Sequence, residues 1–588
     1  MKNRLCVIGS FLLILIFSVG LTYGQRQMEK LNRGLVAVKV ENGVFLSWRI
    51  MADEMEDAGY NIYRNGNKLN NNPINGASNY LDKNGTSQSQ YVIKAIINGK
   101  EEEGSDPVGV WGRQYKEIPL QTPSGYTPND ASVGDLDGDG DYEIVLHQVG
   151  ESRDNSQSGF TDPPILQAYE MNGTLLWEIN LGINIREGAH YTQFMVYDLD
   201  GDGRAEMACK TAPGSKDGTG AYIDDGPAAS ANHNADYRNN WGYILSGPEY
   251  LTVFDGETGA ELATANYIPP RGNDIDAIWG DDYGNRVDRF LAGIAYLDGE
   301  RPSLVMCRGY YTRTVLAAWN WRDGELTHVW TFDSDDPGNG AYYGQGNHNL
   351  AIGDADEDGY DEIMYGSCAI DHDGTGLYST GLGHGDAGHL GDLDPDNPGL
   401  EYFMPHEHHG PAVSFRDAGT GEILWRKGTD AGDVGRGVAA NVTEMYEGAE
   451  CWASGWGPYN AKGNSIIGNP PSTNFLVWWD GDEFRELLDR NYIDKFPTGR
   501  LFTADGCSSN NGSKATPTLS ADLIGDWREE VIWRRNDNQA LRIYTTTHST
   551  ERRLYTLMHD PVYRLSIAWQ NVAYNQPPHV GFYMDKSM

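Results

Sequence analysis

Aspartates at alternate positions form four short runs in this chain, and each run closes with a glutamate. Carboxylates crowded in this way repel one another unless a hard cation lies among them. Oxygen ligands spaced around a glycine-relieved turn suit Ca²⁺, which takes about six to eight of them. The predicted calcium ligands are Asp135, Asp137, Asp139, Asp141 and Glu143; Asp198, Asp200, Asp202, Arg204 and Glu206; Asp354, Asp356, Asp358 and Glu362; and Asp392, Asp394, Asp396 and Glu401.

Weaker copies of the run follow at 296–303, at 441–450 and at 522–530, where the predicted ligands are Asp522, Asp526 and Glu530. An EF-hand loop starts with similar spacing, but it needs a helix on each side and a glutamate at its twelfth position. Here the glutamate comes earlier, and short apolar, β-prone segments follow it, as at 144–146 and 363–365. The pattern therefore predicts calcium loops that lead into strands.

Histidines are concentrated between residues 348 and 409, near the predicted ends of successive strands. They include His348, His384 and the run from His406 to His409, and carboxylates such as Asp386 and Glu407 lie among them. On ligand chemistry alone, three interpretations stay open. The set could hold a transition metal, the histidines could be hydrogen-bonded within the core, or a calcium ion could bind there in a cleft.

A second group of polar and basic residues lies in glycine-rich loops: Arg436, Arg500, Lys514 and the segment from Asn571 to Pro578. Solvated surface loops are the simpler interpretation. However, the formal net charge of the chain is −39, and isolated cations in so acidic a protein can create a local site for an anion.

The elements that must position these groups are short strands. Most acidic runs are followed by a strand, a turn with Asp-Gly or Asn-Gly, and a second strand, as at 251–256 and 477–481, which is typical of a hairpin. A unit of about four strands that recurs along the chain indicates a propeller. We predict an all-β protein with an eight-bladed β-propeller, in which strands at 563–569 and 580–583 complete the last blade with chain from around residue 115. Seven blades are the alternative.

Three segments are expected along the chain. Residues 1–24 have two basic residues and then an apolar stretch, which is typical of a secretory signal peptide. Residues 25–112 alternate apolar and polar positions and resemble a fibronectin III-like β-sandwich; residues 113–588 form the propeller. We expect a secreted or periplasmic monomer with no membrane anchor and no nucleic-acid partner. The cysteines outside the leader are odd in number and are expected to be buried free thiols.

Several blocks of sequence carry a resemblance to a known family. In chain order they are Tyr126-Thr-Pro-Asn129-Asp130, Gly344-Gln-Gly-Asn-His348, Gly383-His-Gly-Asp386, Pro405-His-Glu-His-His409, Asp433-Val-Gly-Arg436-Gly437, Asn511-Gly-Ser-Lys514 and Asn571-Val-Ala-Tyr574-Asn-Gln-Pro-Pro578. With these blocks the chain resembles the rhamnogalacturonan lyases of polysaccharide lyase family 11 over essentially its whole mature length. The resemblance implies an eight-bladed, calcium-rich propeller that cleaves the rhamnose-galacturonate backbone of pectin by β-elimination, as an endolyase or an exolyase.

The resemblance also implies roles for single residues. His348, His384, Asp386 and Glu407 would hold a Ca²⁺ ion beside a cleft. Arg436, Lys514 and Tyr574 would face the galacturonate, and Asn129, Asn511 and Gly512 would contact the neighbouring sugar. Arg500 and Asn571, which lie in the same polar loops, are added as predicted substrate-binding residues.

Elimination requires removal of the proton at C5 of galacturonate, and cations must first neutralise the adjacent carboxylate. Arg436 and the cleft Ca²⁺ are expected to do so, and Lys514 is the first choice for the base. Tyr574 is expected to act as base or to protonate the leaving oxygen, and a histidine of the 406–409 run is the other candidate base. A non-catalytic calcium-dependent carbohydrate-binding propeller is the alternative function, and a glycoside hydrolase ranks third.

Overall fold

The computed structural model describes residues 26–54, 58–407, 410–466, 468–469 and 471–585. The predicted signal peptide at 1–24 lies outside the described residues, as do His408 and His409 of the predicted histidine group. Antiparallel strands make up nearly all of the regular structure. The all-β prediction is therefore confirmed.

The N-terminal part of the chain forms two sheets. Their strands are β1 (Val36–Val40), β2 (Gly43–Ser47), β3 (Gly59–Arg64), β4 (Asn67–Lys68), β5 (Asn79–Asp82), β6 (Gln90–Ile97), β7 (Lys100–Gly104) and β8 (Val108–Gly109). One sheet has the order β1-β2-β5, and the other has the order β4-β3-β6-β7 with β8 paired to β6. In β6 the buried residues alternate, at Tyr91, Ile93 and Ala95, and they pack with Trp48 and Tyr60 in one core. Alternation in the sequence thus becomes a shared apolar face.

The rest of the described chain forms eight antiparallel sheets. The strands of the first three are β10 (Thr127–Gly134), β11 (Glu143–Val149), β12 (Ile165–Tyr169) and β13 (Leu175–Asn180); β14 (Phe194–Tyr197), β15 (Glu206–Thr211), β16 (Tyr250–Phe254) and β17 (Glu261–Asn266); and β18 (Phe290–Ala295), β19 (Ser303–Arg308), β20 (Val315–Arg322) and β21 (Glu325–Asp333). Those of the next two are β22 (Ala351–Gly353), β23 (Glu362–Tyr365), β24 (Cys368–Ile370) and β25 (Gly376–Ser379); and β26 (His389–Gly391), β27 (Glu401–Pro405), β28 (Val413–Asp417) and β29 (Ile423–Lys427).

The last three sheets are less regular. The sixth contains β30 (Gly437–Ala440), β31 (Glu450–Ala453) and β32 (Trp456–Tyr459), and the seventh contains β33 (Phe475–Val477), β34 (Glu486–Asp489), β35 (Tyr492–Lys495) and β36 (Gly499–Thr503). The eighth contains β37 (Cys507–Ser508), β38 (Leu519–Ala521), β39 (Glu530–Arg535), β40 (Ala540–Tyr544) and β9 (Tyr115–Pro119). Because β9 pairs with β40, chain from around residue 115 joins the last sheet, as predicted.

We call the strand that directly precedes the acidic loop in each of these sheets its leading strand: β10, β14, β18, β22, β26, β30, β33 and β38. Most leading strands lie against the leading strand of a neighbouring sheet. Contacts join β10 to β14, β14 to β18, β18 to β22, β22 to β26 and β30 to β33, and β38 of the eighth sheet contacts β10 of the first. The helix α2 (Pro561–Trp569) contacts β10, β14, β18 and β22. The other α-helix, α1 (Ile275–Trp279), is a short excursion before the third sheet.

The prediction of final strands at 563–569 and 580–583 is wrong. Residues 561–569 form α2, which begins after Asp560, whose carboxylate accepts the N–H of Tyr563 at 2.9 Å. Pro561 occupies the first helical turn, where its missing N–H costs nothing. Almost every side chain of α2 is buried, so the helix lacks the polar face that would have set it apart from a strand. Residues 580–583 belong to no strand.

The five cysteines in the described part of the chain are free and buried, which confirms the prediction made for them. In the same part of the chain, no helix is both long enough and apolar enough to cross a membrane.

Candidate active site and metal loops

The leading strand of each sheet separates two kinds of functional residue. His348 precedes β22, Asp386 precedes β26, Arg436 directly precedes β30, and Lys514 precedes β38. The acidic runs begin where leading strands end, for example at Asp135 after β10 and at Asp198, Asp354, Asp392 and Asp522 after β14, β22, β26 and β38. Because a strand is extended, its two ends are far apart. The structure therefore gathers the predicted cleft residues at one end of these strands and the acidic loops at the other.

The histidine and carboxylate group predicted near the cleft is brought together. Ligand atoms of His348, His384, Asp386 and Glu407 all lie within 4.8 Å of one another. Nε2 of His348 lies 3.3 Å from Oδ1 of Asp386, and Nε2 of His384 lies 2.9 Å from Oε2 of Glu407. These four side chains come from loops that follow one another around the same edge of the sheets.

The second nitrogen of each imidazole is held by a neighbour. Nδ1 of His384 lies against the carbonyl oxygen of Gly346, and Nδ1 of His348 lies 2.9 Å from the hydroxyl of Tyr310. A histidine that donates from Nδ1 keeps the lone pair of Nε2 for a ligand, which is how metal-binding histidines are usually oriented. Nε2 of His384 faces Glu407, and Nε2 of His348 lies between Oδ1 of Asp386, at 3.3 Å, and the hydroxyl of Tyr311, at 3.1 Å. Two imidazoles and two carboxylates thus converge, and this donor set fits a divalent cation.

The charges of this group also require a cation. Burial, together with the neighbouring Glu407, raises the pKa of Asp386 to about 6. Burial lowers the pKa of His348 well below its usual value, so that its imidazole is neutral. Two carboxylates beside the neutral imidazole of His348 leave negative charge unbalanced, and a bound cation would remove that imbalance.

Lys514 is presented to the same region by a tight turn. Residues 512–514 form a single turn of 3₁₀ helix, flanked by Asn511 at φ 57° and Ala515 at φ 52°. The left-handed conformation is common for Asn and uncommon for Ala. Nζ of Lys514 lies 3.6 Å from the ring centre of Tyr574. Burial and the nearby Arg436 guanidinium lower the pKa of Lys514, and burial raises the pKa of Tyr574 to about 12.

Arg436 is a buried cation with unused hydrogen-bond donors. Its Nη2 donates to the carbonyl oxygens of Asn474, at 3.2 Å, and of Asn575. In the described part of the chain, Nε and Nη1 have no hydrogen-bond partner. Burial lowers the pKa of the guanidinium to about 10. A buried charged group with unsatisfied donors is costly, so these donors indicate a place for an anionic ligand.

A cavity of about 390 Å³ next to Lys514 and Arg436 is lined by polar residues that were predicted to contact the sugar. Asn129, Asn511, Gly512 and Asn571 are among its lining residues. Nδ2 of Asn129 donates to Oδ1 of Asn511 at 3.2 Å. Asn571 differs, because its Nδ2 donates to the carbonyl of Phe194 at 2.9 Å and thereby anchors the start of β14. A second cavity of about 450 Å³ is lined by Tyr311, His384 and Glu407.

Two predicted residues lie elsewhere or are committed to the core. Arg500 is on β36, the last strand of its sheet, where it is paired with Asp494 of β35, so the prediction that it binds substrate is not supported. The glycine before Arg500 suggested a loop, but Arg500 lies on a strand and pairs with a residue of the neighbouring strand. His406, one of the candidate bases, is buried and its Nε2 lies 2.8 Å from the hydroxyl of Ser414. Burial lowers the pKa of His406 to about 3, which makes it a poor base.

The structure adds residues that the sequence analysis missed. His190 lies before β14 and Arg289 directly before β18, in the places that Arg436 and Lys514 occupy in their own sheets. The ring of His190 lies 5.1 Å from both His348 and Tyr574, and its Nδ1 lies 3.2 Å from the Tyr310 hydroxyl. Position just before a leading strand was the signal that could have identified them.

The acidic loops share one backbone contact. The closing glutamate accepts an N–H from near the start of the loop: Glu143 from Leu136 at 2.7 Å, Glu206 from Leu199 at 2.8 Å, and Glu362 from Ala355 at 2.7 Å. In each of these loops three carboxylates converge, with ligand oxygens within 4.8 Å of one another. Buried oxygens of Asp354 and Glu362 have no hydrogen-bond partner within the described residues. These loops therefore fit an oxygen-liganded cation.

Other predicted ligands already have partners from this chain. The acidic loops are numbered by the sheet in which they lie. In the eighth loop, Asp526 forms a buried ion pair with Arg528 at 2.7 Å, and Asp522 accepts the N–H of Leu557 at 2.7 Å. These contacts weaken the prediction of a calcium site there. In the fifth loop, Lys462 bonds to Asp394 at 2.6 Å. The side chain of Arg204 is paired with Glu257 at 2.8 Å, so only its backbone carbonyl is available to a metal.

Comparisons with known proteins agree with one another. Residues 115–588 match a family model described as the C-terminal domain of rhamnogalacturonan lyase family 11, and residues 26–111 match the beta-sheet domain of rhamnogalacturonan I lyases. Rhamnogalacturonan endolyase YesW of Bacillus subtilis (strain 168) is 59% identical over 583 residues, which cover 96% of this chain and 92% of YesW.

A second relative and a solved structure extend the comparison. Rhamnogalacturonan exolyase YesX of the same organism is 54% identical over 600 residues, which cover 96% of both proteins. The crystal structure of YesW matches with a TM-score of 0.92 at 58% identity and covers 96% of this chain and 98% of that chain.

Proposed function

The chain belongs to rhamnogalacturonan lyase family 11, and from this premise we propose that it cleaves the rhamnose-galacturonate backbone of rhamnogalacturonan I by β-elimination. Elimination breaks the bond between C4 and O4 of galacturonate, removes the proton at C5 and leaves an unsaturated galacturonate end. We expect internal cleavage, with terminal cleavage as the alternative, because the relatives include an endolyase and an exolyase.

The observation that carries this proposal is the buried guanidinium of Arg436, with two unpartnered nitrogens beside Lys514 and Tyr574. A uronate carboxylate supplies acceptor oxygens for these unsatisfied N–H groups in a charge-assisted contact. Binding there would withdraw negative charge from the carboxylate, and the C5 proton becomes more acidic as that charge is neutralised. A neutral sugar would leave these donors unsatisfied.

Lys514 then accepts the C5 proton at Nζ. An amine can act as base only when it is neutral, and burial together with Arg436 lowers the pKa of Lys514 in that direction. Tyr574 donates its phenolic proton to O4 as the C4–O4 bond breaks. Since burial raises the pKa of Tyr574 to about 12, the phenol is protonated at neutral pH and suits the role of acid better than that of base.

The proposed cofactor is Ca²⁺. His348, His384, Asp386 and Glu407 would hold one ion at the cleft, and the loops of the first, second and fourth sheets would hold structural ions. A divalent ion at the cleft would supply positive charge that stabilises the enolate-like state next to Arg436. The mixed donor set also suits a transition metal, so metal replacement after chelation distinguishes the two.

The finer architecture is part of the same proposal. The successive contacts of the leading strands, closed by β38 and β10, support an eight-bladed propeller of residues 113–588 around α2. The two N-terminal sheets support a fibronectin III-like sandwich at 25–112. The apolar leader at 1–24 supports removal of a signal peptide and a secreted or periplasmic protein.

The test is incubation with rhamnogalacturonan I and with homogalacturonan, each before and after chelation, followed by ultraviolet absorbance and product size. We expect absorbance from unsaturated ends with rhamnogalacturonan alone, lost on chelation and restored by Ca²⁺. A non-catalytic carbohydrate-binding propeller would retain the polymer on a column and leave its size unchanged. Early loss of viscosity with long products would indicate internal cleavage, and short products from the start would indicate terminal cleavage.

A further inference from the structure

The seventh sheet contains an acidic loop that the sequence analysis took for a simple hairpin turn. Asp480 and Asp482 precede Glu486 by six and four residues, as Asp200 and Asp202 precede Glu206 in the second loop. Oε2 of Glu486 accepts the N–H groups of Trp479 at 2.8 Å and Asp480 at 3.2 Å. The same contact closes the second loop, where Glu206 accepts the N–H of Leu199. Residues 478–486 are therefore built like the metal loops.

A lysine of the same sheet fills this loop. Nζ of Lys495, at the end of β35, lies 2.6 Å from Oδ2 of Asp480, 2.5 Å from Oδ2 of Asp482 and 3.1 Å from Oε1 of Glu486. An ammonium group has three N–H donors, and here each of them has one carboxylate. The Lys495 side chain is 17% exposed, so the contact is largely shielded from water.

The first and second loops differ at this point. Within the described ranges, no lysine or arginine forms an ion pair with Asp135, Asp137 or Glu143, or with the acidic residues of the second loop. Their carboxylates converge without a positive side chain among them, whereas those of the seventh loop surround one.

We propose that the ammonium group of Lys495 takes the place of the divalent ion in the seventh loop, which therefore binds no Ca²⁺. A calcium ion would need oxygens at about 2.3–2.6 Å, and it would have to use the same oxygens that Nζ already contacts. Both cations cannot occupy that space, and like charges at such a distance repel strongly. Lys495 is tethered to the sheet, so its effective concentration there does not depend on free metal.

This arrangement has a consequence for the cleft. The strand β33 leads into the seventh loop, and it is preceded by Asn474, whose carbonyl accepts from Arg436. A loop closed by a side chain keeps its order when metal is removed. The segment that carries the Asn474 carbonyl, and with it the hydrogen bond to Arg436, is then independent of calcium. The loops of the first and second sheets depend on calcium.

The experiment counts bound Ca²⁺ per chain by elemental analysis and native mass spectrometry. Asp200→Asn with Asp202→Asn in the second loop is the matched control for Asp480→Asn with Asp482→Asn in the seventh. We expect the control pair to lose one ion and the seventh-loop pair to lose none. Lys495→Ala should gain one ion, because it frees three carboxylates, and its melting temperature should rise with Ca²⁺ more than that of the wild type.

Loss of one ion from the seventh-loop pair, or no gain in Lys495→Ala, would overturn the proposal. If either variant fails to fold, calcium anomalous scattering from wild-type crystals decides the question. Density between Asp480, Asp482 and Glu486 would contradict the proposal, and density in the second loop with none in the seventh would support it. The inference uses the proposed calcium loops as its reference. A wild-type protein that binds no Ca²⁺ anywhere would refute those loops, whereas the variants of the seventh loop test the lysine.

Discussion

Replacement of Lys514 separates its two possible contributions, positive charge and basicity. Lys514→Met removes both, and Lys514→Arg keeps the charge but cannot supply a neutral amine, because a guanidinium stays protonated. A positioned general base contributes about 10²- to 10⁴-fold in rate, which corresponds to about 2.7–5.4 kcal/mol of barrier. We expect kcat to fall by that factor in both variants. The contact of Nζ with the Tyr574 ring, at 3.6 Å, is worth only about 0.5–2 kcal/mol and should affect stability, not chemistry.

The assay is the initial rate of ultraviolet absorbance from unsaturated ends, measured across pH on a rhamnogalacturonan oligosaccharide. Because the pKa of Lys514 is lowered from its usual value, wild-type kcat should rise with pH while the amine loses its proton, at a pH below that of an ordinary lysine. Oligosaccharide binding is the control and should stay near wild type, and the melting temperature should fall only slightly through the lost ring contact. A Lys514→Arg enzyme with more than a tenth of wild-type kcat would refute the assignment of Lys514 as base. The same conclusion would follow if kcat of the Lys514→Arg enzyme rose with pH as that of the wild type does.

Three further predictions concern other groups of the site. Arg436→Lys keeps a charge but loses the unpartnered Nε–H and Nη1–H donors, so kcat/KM should fall by about 10- to 150-fold, the equivalent of about 1.5–3 kcal/mol for a charged hydrogen bond. An equal loss on methyl-esterified substrate would contradict carboxylate binding. Tyr574→Phe should lower kcat by about 10²-fold or more, and activity on a substrate with a better leaving group should recover; no recovery would argue against proton donation to O4. For the metal loops, burial raises the pKa of Glu206 from 4.5 to about 8 when no metal is bound. The folded protein then holds this proton more tightly than the unfolded chain, so stability without metal falls as pH rises between these values. Chelation should therefore lower the melting temperature more at pH 8 than at pH 5, and an equal drop at both would contradict this.

The acidic loops were predictable because their chemistry is local. Asp135 to Glu143 and Asp198 to Glu206 carry their spacing in the sequence, and the structure places them where a leading strand ends. The loop at 478–486 was not identified from the sequence because Trp478 stands where the first, second, fourth and eighth loops have their first aspartate. Its identity rests on the backbone contact to Glu486 and on Lys495, which is distant in sequence and arrives through strand pairing.

The cleft was only partly predictable. Residues in distinctive blocks, such as His384 and Lys514, were identified through the family resemblance and are gathered at one edge. Arg289 and His190 have no motif, and only their places before β18 and β14 reveal them. The helix α2 was mistaken for a strand because a segment buried on all sides has no periodicity to read. Tertiary burial, not local preference, decided that element.

The mass balance of a single cleavage tests the central claim most directly. A defined rhamnogalacturonan oligosaccharide is digested to two fragments, and both are weighed by mass spectrometry. β-Elimination adds nothing to the substrate, so the account predicts that the two fragment masses sum to the mass of the parent and that the galacturonate fragment carries a double bond. A sum that exceeds the parent by one water molecule would show hydrolysis and contradict the account.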